Sequence, residues 1–305
     1  MNPETKSASD LNDDDIRALA ARYGLLLQGP LDINELGLDY RVVIASAADG
    51  TPWVLRIPRR ADVSAKVAAE ARALAMLRAH LPFAVPDWRV AAADLVAYPL
   101  LDDRTAIILE PGSTTPEWVI QQDSEAFLTS LAAAMAALHA IPVAAAQAGG
   151  MLVRSPSEAR QQVADDIERV CREIAVHAQR RERWQRWLAD DASWPDFCVP
   201  VHGDLYVGHV LVDATERVSA MIDWSECRVD DPAIDMVAHL MVFGPASLAR
   251  LIEAYQACGG RTWSRMAHHI EERLAVWPVS YALFGLESGD PHHLAAAQAQ
   301  LADAE

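Results

Sequence analysis

Between residues 202 and 224 the chain gathers side chains of the kind that move phosphoryl groups. The run His202-Gly203-Asp204-Leu205-Tyr206-Val207-Gly208-His209 is followed downstream by Met221-Ile222-Asp223-Trp224. Residues 210–212 and 218–222 are apolar and β-prone, and the polar Asp213-Ala214-Thr215-Glu216 separates them, so a hairpin turning near Glu216 is predicted. Such a hairpin sets His209 and Asp223 opposite each other at its open end, with Asp204 on the loop just before it. Phosphoryl transfer needs a group that orients or deprotonates the attacking hydroxyl, and a metal ion that neutralises phosphate charge. Asp204 suits the first task, as base. Asp223 offers hard oxygens to Mg2+, and His209 completes the protein's share of the ligands. His202 is expected to brace the loop backbone rather than do chemistry. Any one of these residues alone reads as a turn former, a cap or a core histidine; their joint spacing is what points to a site.

The elements that must position these groups follow from periodicity. Residues 14–23 read as a helix with Asp13 as its N-cap. Residues 25–33, 40–46 and 53–57 read as strands, the last two joined through Asp49-Gly50, a hairpin signal. Residues 62–80 form an amphipathic helix with Val63, Val67, Leu74 and Leu77 near helical spacing, and residues 95–101 a further buried strand. From Pro116 onward the pattern is helical apart from residues 198–224. The prediction is an α+β, bilobal chain: residues 1–100 a small strand-rich lobe that binds nucleotide, residues 101–305 a larger helical lobe with the catalytic loop and the acceptor site.

Composition narrows the partners. The 305 residues are 51% hydrophobic, ample for a packed core, and carry a net charge of −17. So acidic a chain is a poor match for nucleic acid, whose binding rests on phosphate neutralisation. The N-terminus is polar and acidic without an apolar stretch, and no apolar run reaches the roughly 20 residues of a membrane span, so neither a signal peptide nor a membrane is expected. Cys171, Cys198, Cys227 and Cys258 are scattered, which fits reduced, mostly buried thiols in a cytoplasmic protein.

The wider run HGDLYVGHVLVD…MIDWSECRVDDPAID resembles the catalytic core of the aminoglycoside phosphotransferase superfamily, relatives of protein kinases that modify small molecules. Within it the run is most similar to macrolide 2′-phosphotransferases, which carry His at the position of His209 where most members carry Asn. The resemblance implies a protein-kinase-like fold, Asp204 as base, and His209 and Asp223 as ligands of Mg2+. It also implies that Asp235, the second Asp of D-P-x-x-D, braces the catalytic loop. Locally, residues 230–235 read as a helix start with Asp231 as N-cap and Pro232 in the first turn. On the nucleotide side, residues 34–40 with the single Gly37 are similar to a phosphate-covering loop. Arg56 stands where kinases present Lys, a departure, with Glu70 as its acidic partner. Backbone groups of Ala97, Tyr98 and Leu100 are expected at the purine edge. GTP is the implied donor, with ATP the other option. A macrolide acceptor, phosphorylated on the 2′-hydroxyl of its amino sugar, calls for a broad apolar pocket with one or two carboxylates. Glu226, Asp231, Met241, Phe243, Trp277 and Tyr281 are the candidates to line it. Macrolide resistance and a monomer with two small-molecule partners are the matching expectations. Two alternatives stay open: a kinase for another small hydroxylated amine (an aminoglycoside, choline or homoserine), and a nucleotide-binding pseudokinase that serves as an interaction module.

Overall fold

Strand-length runs of alternating burial dominate the first hundred residues and pair into one antiparallel sheet. In the computed structural model, which describes residues 8–35, 39–108 and 115–303, the strands are β1 (Leu27–Asn34), β2 (Tyr40–Ala47), β3 (Pro52–Pro58), β4 (Val90–Ala92) and β5 (Leu95–Pro99). Their order is β1-β2-β3-β5-β4. Because side chains alternate along a strand, each face has its own cover. Val43, Ala45, Leu55, Leu95 and Ala97 pack with Ile16 and Ala20 of helix α1 (Asp13–Arg22). Val54, Val96 and Tyr98 point the other way and pack with Val67 of helix α2 (Ala61–His80). The cap of α1 is Asn12, one residue before the expected Asp13, because Asn12 and Asp15 exchange side-chain to backbone hydrogen bonds at 2.9 and 3.0 Å.

The predicted hairpin is present. Val210–Val212 pairs with Val218–Met221, and Glu216 in its turn adopts φ 62°, the left-handed conformation a tight reversal needs. Arg104–Thr105 adds a third short strand to it. Ala84 exchanges backbone hydrogen bonds with Ser219 and Met221 at 2.9 and 3.0 Å. By contact density the chain forms two compact units that are interleaved in sequence. The first comprises residues 1–127, 144–151 and 208–225; the second comprises 128–143, 152–207 and 226–305. A single cut after residue 100 therefore does not separate them.

The second unit is mainly helical. Pro156–Glu173, Ala178–Ala189, Met266–Ser288 and Pro291–Ala302 bury Val170, Trp184, Trp187, Val279 and Leu301 in one cluster. A small sheet of Leu152–Val153, Arg228–Asp230 and Val199–Val201 carries strand structure beyond the predicted 198–224 segment. The helix Ile234–Ala257 kinks at Gly244 (φ 78°), just before Pro245. It is the one helix among the described residues long and apolar enough to cross a membrane by length and composition, a feature the sequence reading did not register. The four cysteines are free thiols; three are half-buried and Cys258 is exposed, so they are less buried than expected.

Candidate active site

The loop that carries Asp204 is held from beneath by Asp235. Oδ2 of Asp235 accepts the backbone N–H of His202 at 2.9 Å, and Oδ1 accepts that of Gly203 at 2.8 Å. His139 lies on the far side of the same carboxylate, its Nε2 3.1 Å from Oδ2, and its Nδ1 is 2.8 Å from the hydroxyl of Tyr255. A carboxylate only accepts, so His139 donates through Nε2 and receives the Tyr255 proton at Nδ1. Burial alone would raise the Asp235 pKa. The His139 hydrogen bond, the nearness of the His139 and His202 rings and the Gly203 N–H outweigh it, and the group stays below its ordinary value. His202, fully buried, accepts the N–H of Asp204 at Nδ1 (3.3 Å). Gly203 is required by shape: its φ is +87°, and a Cβ there would stand 2.3 Å from the carbonyl oxygen of Glu226.

In the first unit the chemistry-bearing groups surround one buried cation. Arg56, two residues before the end of β3, is only 6% exposed. It donates through one terminal nitrogen to Asp223 Oδ1 (3.1 Å), and the other lies 3.5 Å from Glu70 Oε1. The Tyr40 ring lies 4.0 Å from its guanidinium carbon. Burial would lower the Arg56 pKa, but Asp223, Tyr98 and Glu70 outweigh it and keep the guanidinium charged. Burial pushes the Tyr98 phenol up to about 12. Glu70 is itself buried, facing Arg56 rather than solvent. Asp223 adopts φ 61°, rare outside glycine, in a turn clamped by the Trp224 indole donating to Met221 O at 2.9 Å. Its other oxygen, Oδ2, lies 3.8 Å from His209 Nε2.

This donor set suits a divalent cation shared with a phosphate. One guanidinium faces two carboxylates here, so an arriving triphosphate meets excess negative charge unless a cation comes with it. Among the described residues no three His, Cys, Asp or Glu side chains converge to hold one, this site included. Two protein donors leave coordination positions for phosphate oxygens and water, the usual arrangement for Mg2+ at such sites.

The residues expected at the purine edge lie along β5 and just beyond it. Ala97 and Tyr98 lie in the ladder opposite Leu55 and Val54, Ala97 O accepts the N–H of Arg89, and Leu100 N donates to Pro52 O at 2.9 Å. The Leu100 side chain lines a cavity of about 310 Å3 with Ala84 and Ser219. Gly37 lies outside the described residues.

A second cavity, of about 390 Å3, lies within the helical unit and is lined by Asp204 together with Glu226, Asp166, Val237, Val276 and Trp277. Trp277 is 40% exposed. Of the residues predicted to line an acceptor pocket, Glu226 and Trp277 border this cavity, and four do not. Asp231 is buried behind the wall. His269 accepts the Trp187 N–H at Nδ1 (3.1 Å), so its Nε2 donates to Asp231 Oδ2 (2.6 Å), and Arg273 adds a contact at 2.5 Å. Burial opposes ionisation of Asp231, but Arg273 and His269 outweigh it and hold the carboxyl well below the usual range. Nor is Asp231 the helix cap: it accepts the Ala233 N–H at 2.9 Å, and the helix begins at Ile234. Met241 points to solvent, Phe243 packs on His239, and the Tyr281 hydroxyl bonds His293. Asp166 was missed: it is the eleventh of the 18 residues of the helix Pro156–Glu173, whose polar pattern gives no hint of a cavity, and burial raises its pKa.

Residues 33–269 match the model of the phosphotransferase enzyme family. The chain is similar to a solved macrolide 2′-phosphotransferase type I, with 66% identity, a TM-score of 0.92, and coverage of 97% of this chain and 99% of that one. It is also similar to the apoenzyme of macrolide 2′-phosphotransferase MphH from Brachybacterium faecium, with 42% identity, a TM-score of 0.87, and coverage of 96% and 98%. The uncharacterized protein YcbJ of Bacillus subtilis (strain 168) is 39% identical over 283 residues, 92% of each chain. The fold is the protein-kinase-like fold of these enzymes, and the chain belongs to the phosphotransferase enzyme family.

Proposed function

We propose that this protein transfers the γ-phosphate of a nucleoside triphosphate, GTP by the family resemblance, to the 2′-hydroxyl of the amino sugar of a macrolide. The observation that carries the reading is the cavity in which Asp204 shares walls with apolar side chains and Trp277, with Glu226 and Asp166 as further carboxylates. A large apolar ring with one cationic sugar asks for that mixture. The 66% identity to a macrolide 2′-phosphotransferase over nearly the whole chain supports the same acceptor. Asp204 accepts the hydroxyl proton as the sugar oxygen bonds to the γ-phosphorus, and the bond to the β-γ bridging oxygen breaks, releasing the nucleoside diphosphate. Arg56 holds phosphate oxygens, with Glu70 fixing its position. His209 and Asp223 would hold Mg2+, which supplies charge neutralisation at the phosphates. Asp235 and His202 keep the loop in place. Macrolide resistance in the cytoplasm, where the nucleotide donor is found, is the cellular role that follows.

The test is to incubate the purified protein with Mg2+, GTP or ATP, and a panel of macrolides, aminoglycosides and choline, and to analyse the products by mass spectrometry. A macrolide that gains one phosphate on the amino sugar is the expected product. Phosphorylation of another amine alone would replace the acceptor, and nucleotide binding without any product would favour an interaction module.

A further inference from the structure

Arg56 departs from the lysine that kinases present to phosphates, and the surroundings of the residue account for the exchange. In the sheet register Arg56 stands opposite Val42, and Tyr40 is two residues before Val42, so Tyr40 and Arg56 are diagonal neighbours on one face. The guanidinium carbon lies 4.0 Å from the centroid of the Tyr40 ring. Both residues are buried, at 6% and 3% exposure. Glu70 and Asp223 take up separate terminal nitrogens, at 3.5 and 3.1 Å. A flat, delocalised cation with two nitrogens tethered and an aromatic face beneath it has its orientation fixed. An ammonium is a compact point charge that neither stacks nor forks in this way. Of the five N–H donors of a guanidinium, those not aimed at the two carboxylates remain for phosphate oxygens.

We infer that Tyr40 is a positioning residue for nucleotide binding: its ring is the platform that orients Arg56 toward the phosphates and makes this site selective for arginine over lysine. The inference rests on the reading of Arg56 as the phosphate-binding cation. Tyr40 opens β2 and is the last residue of the segment predicted to cover the phosphates, so the platform belongs to that segment's own backbone.

The experiment is a double-mutant cycle on the full chain, read as the dissociation constant of GDP with Mg2+ by calorimetry and as KM and kcat for GTP. Tyr40→Leu is expected to weaken nucleotide binding about 5- to 30-fold, the range for a desolvated cation–π contact, with the acceptor KM unchanged. Tyr40→Phe, which keeps the ring, should recover most of that loss. Arg56→Lys should weaken binding in the parent but add little in the Tyr40→Leu background, because the lysine has no stack to lose. If Tyr40→Leu does not fold, Tyr40→Met fills the space without a ring and serves in its place. Additive losses in the cycle, or equal losses for Phe and Leu, would overturn the platform while leaving Arg56 in its role. Unchanged nucleotide binding in Arg56→Ala would overturn the reading of Arg56 and the inference with it.

Discussion

Replacing Asp204 with asparagine keeps the size of the side chain and removes its ability to take a proton. Turnover is expected to fall by about 10²- to 10⁴-fold, with nucleotide affinity close to that of the parent. Rate and affinity measured on the same preparation check both halves of this expectation; a variant that turns over normally would end the assignment. Its neighbour Gly203 answers to shape alone. Gly203→Ala places a methyl group 2.3 Å from Glu226 O at φ +87°, so a loss of about 2 kcal/mol or more in unfolding free energy is expected. A melting temperature equal to the parent's would show that the loop can shift to admit the methyl group. At this scale the sequence was most informative where partners are close along the chain, as with His209 and Asp223. It was least informative where they are distant: the partners of Asp231, His269 and Arg273, lie 38 and 42 residues away, so a local helix cap was the only role in view.

The elements that carry Asp235 and His239 give the helical unit its dependence on pH. Asp235 is held below its ordinary value of 3.8, so its contribution is in place above about pH 4 and is lost as pH falls through the folded-state value. Asp235→Asn leaves buried donors without their acceptor and should cost about 3 kcal/mol or more at pH 7, while removing that acid loss. His239, on the kinked helix Ile234–Ala257, is lowered by burial from 6.5 to about 4. Between those values the unfolded chain binds a proton that the folded chain refuses, so stability present above pH 6.5 declines as pH falls toward 4, by at most about 3 kcal/mol. In His239→Leu that decline should flatten, as followed by urea unfolding across the interval. Parallel curves for parent and variant would assign the pH dependence to other groups. The strands at residues 25–33, 40–46, 53–57 and 95–101 and the helices at 14–23 and 62–80 were legible from periodicity to within a few residues, whereas the later helices were legible only as a helical stretch. The two-residue strand Leu152–Val153 and its pairing with Arg228–Asp230 were not legible, since a pairing so short leaves no period to read.

At the scale of the whole molecule, the strand-rich unit is not the product of the first hundred residues. Ala84 takes its backbone partners from Ser219 and Met221, and Arg104–Thr105 pairs with the strand Val210–Val212. A fragment ending at residue 100 lacks these partners and is expected to show no cooperative thermal transition by circular dichroism. A sharp transition in that fragment would mean that the five-stranded sheet is self-sufficient. The α+β division was legible because strand and helix periods separate cleanly along the chain, whereas the interleaving was not, because it depends on contacts between segments more than a hundred residues apart.

That interleaving sets a schedule for synthesis. The first compact unit closes only when residues 208–225 have been made, although most of its sequence lies before residue 128. At about 5–20 residues per second, the ribosome needs roughly 5–20 s to travel from residue 127 to residue 225. Throughout that interval the backbone of Ala84 is without the partners that Ser219 and Met221 later provide.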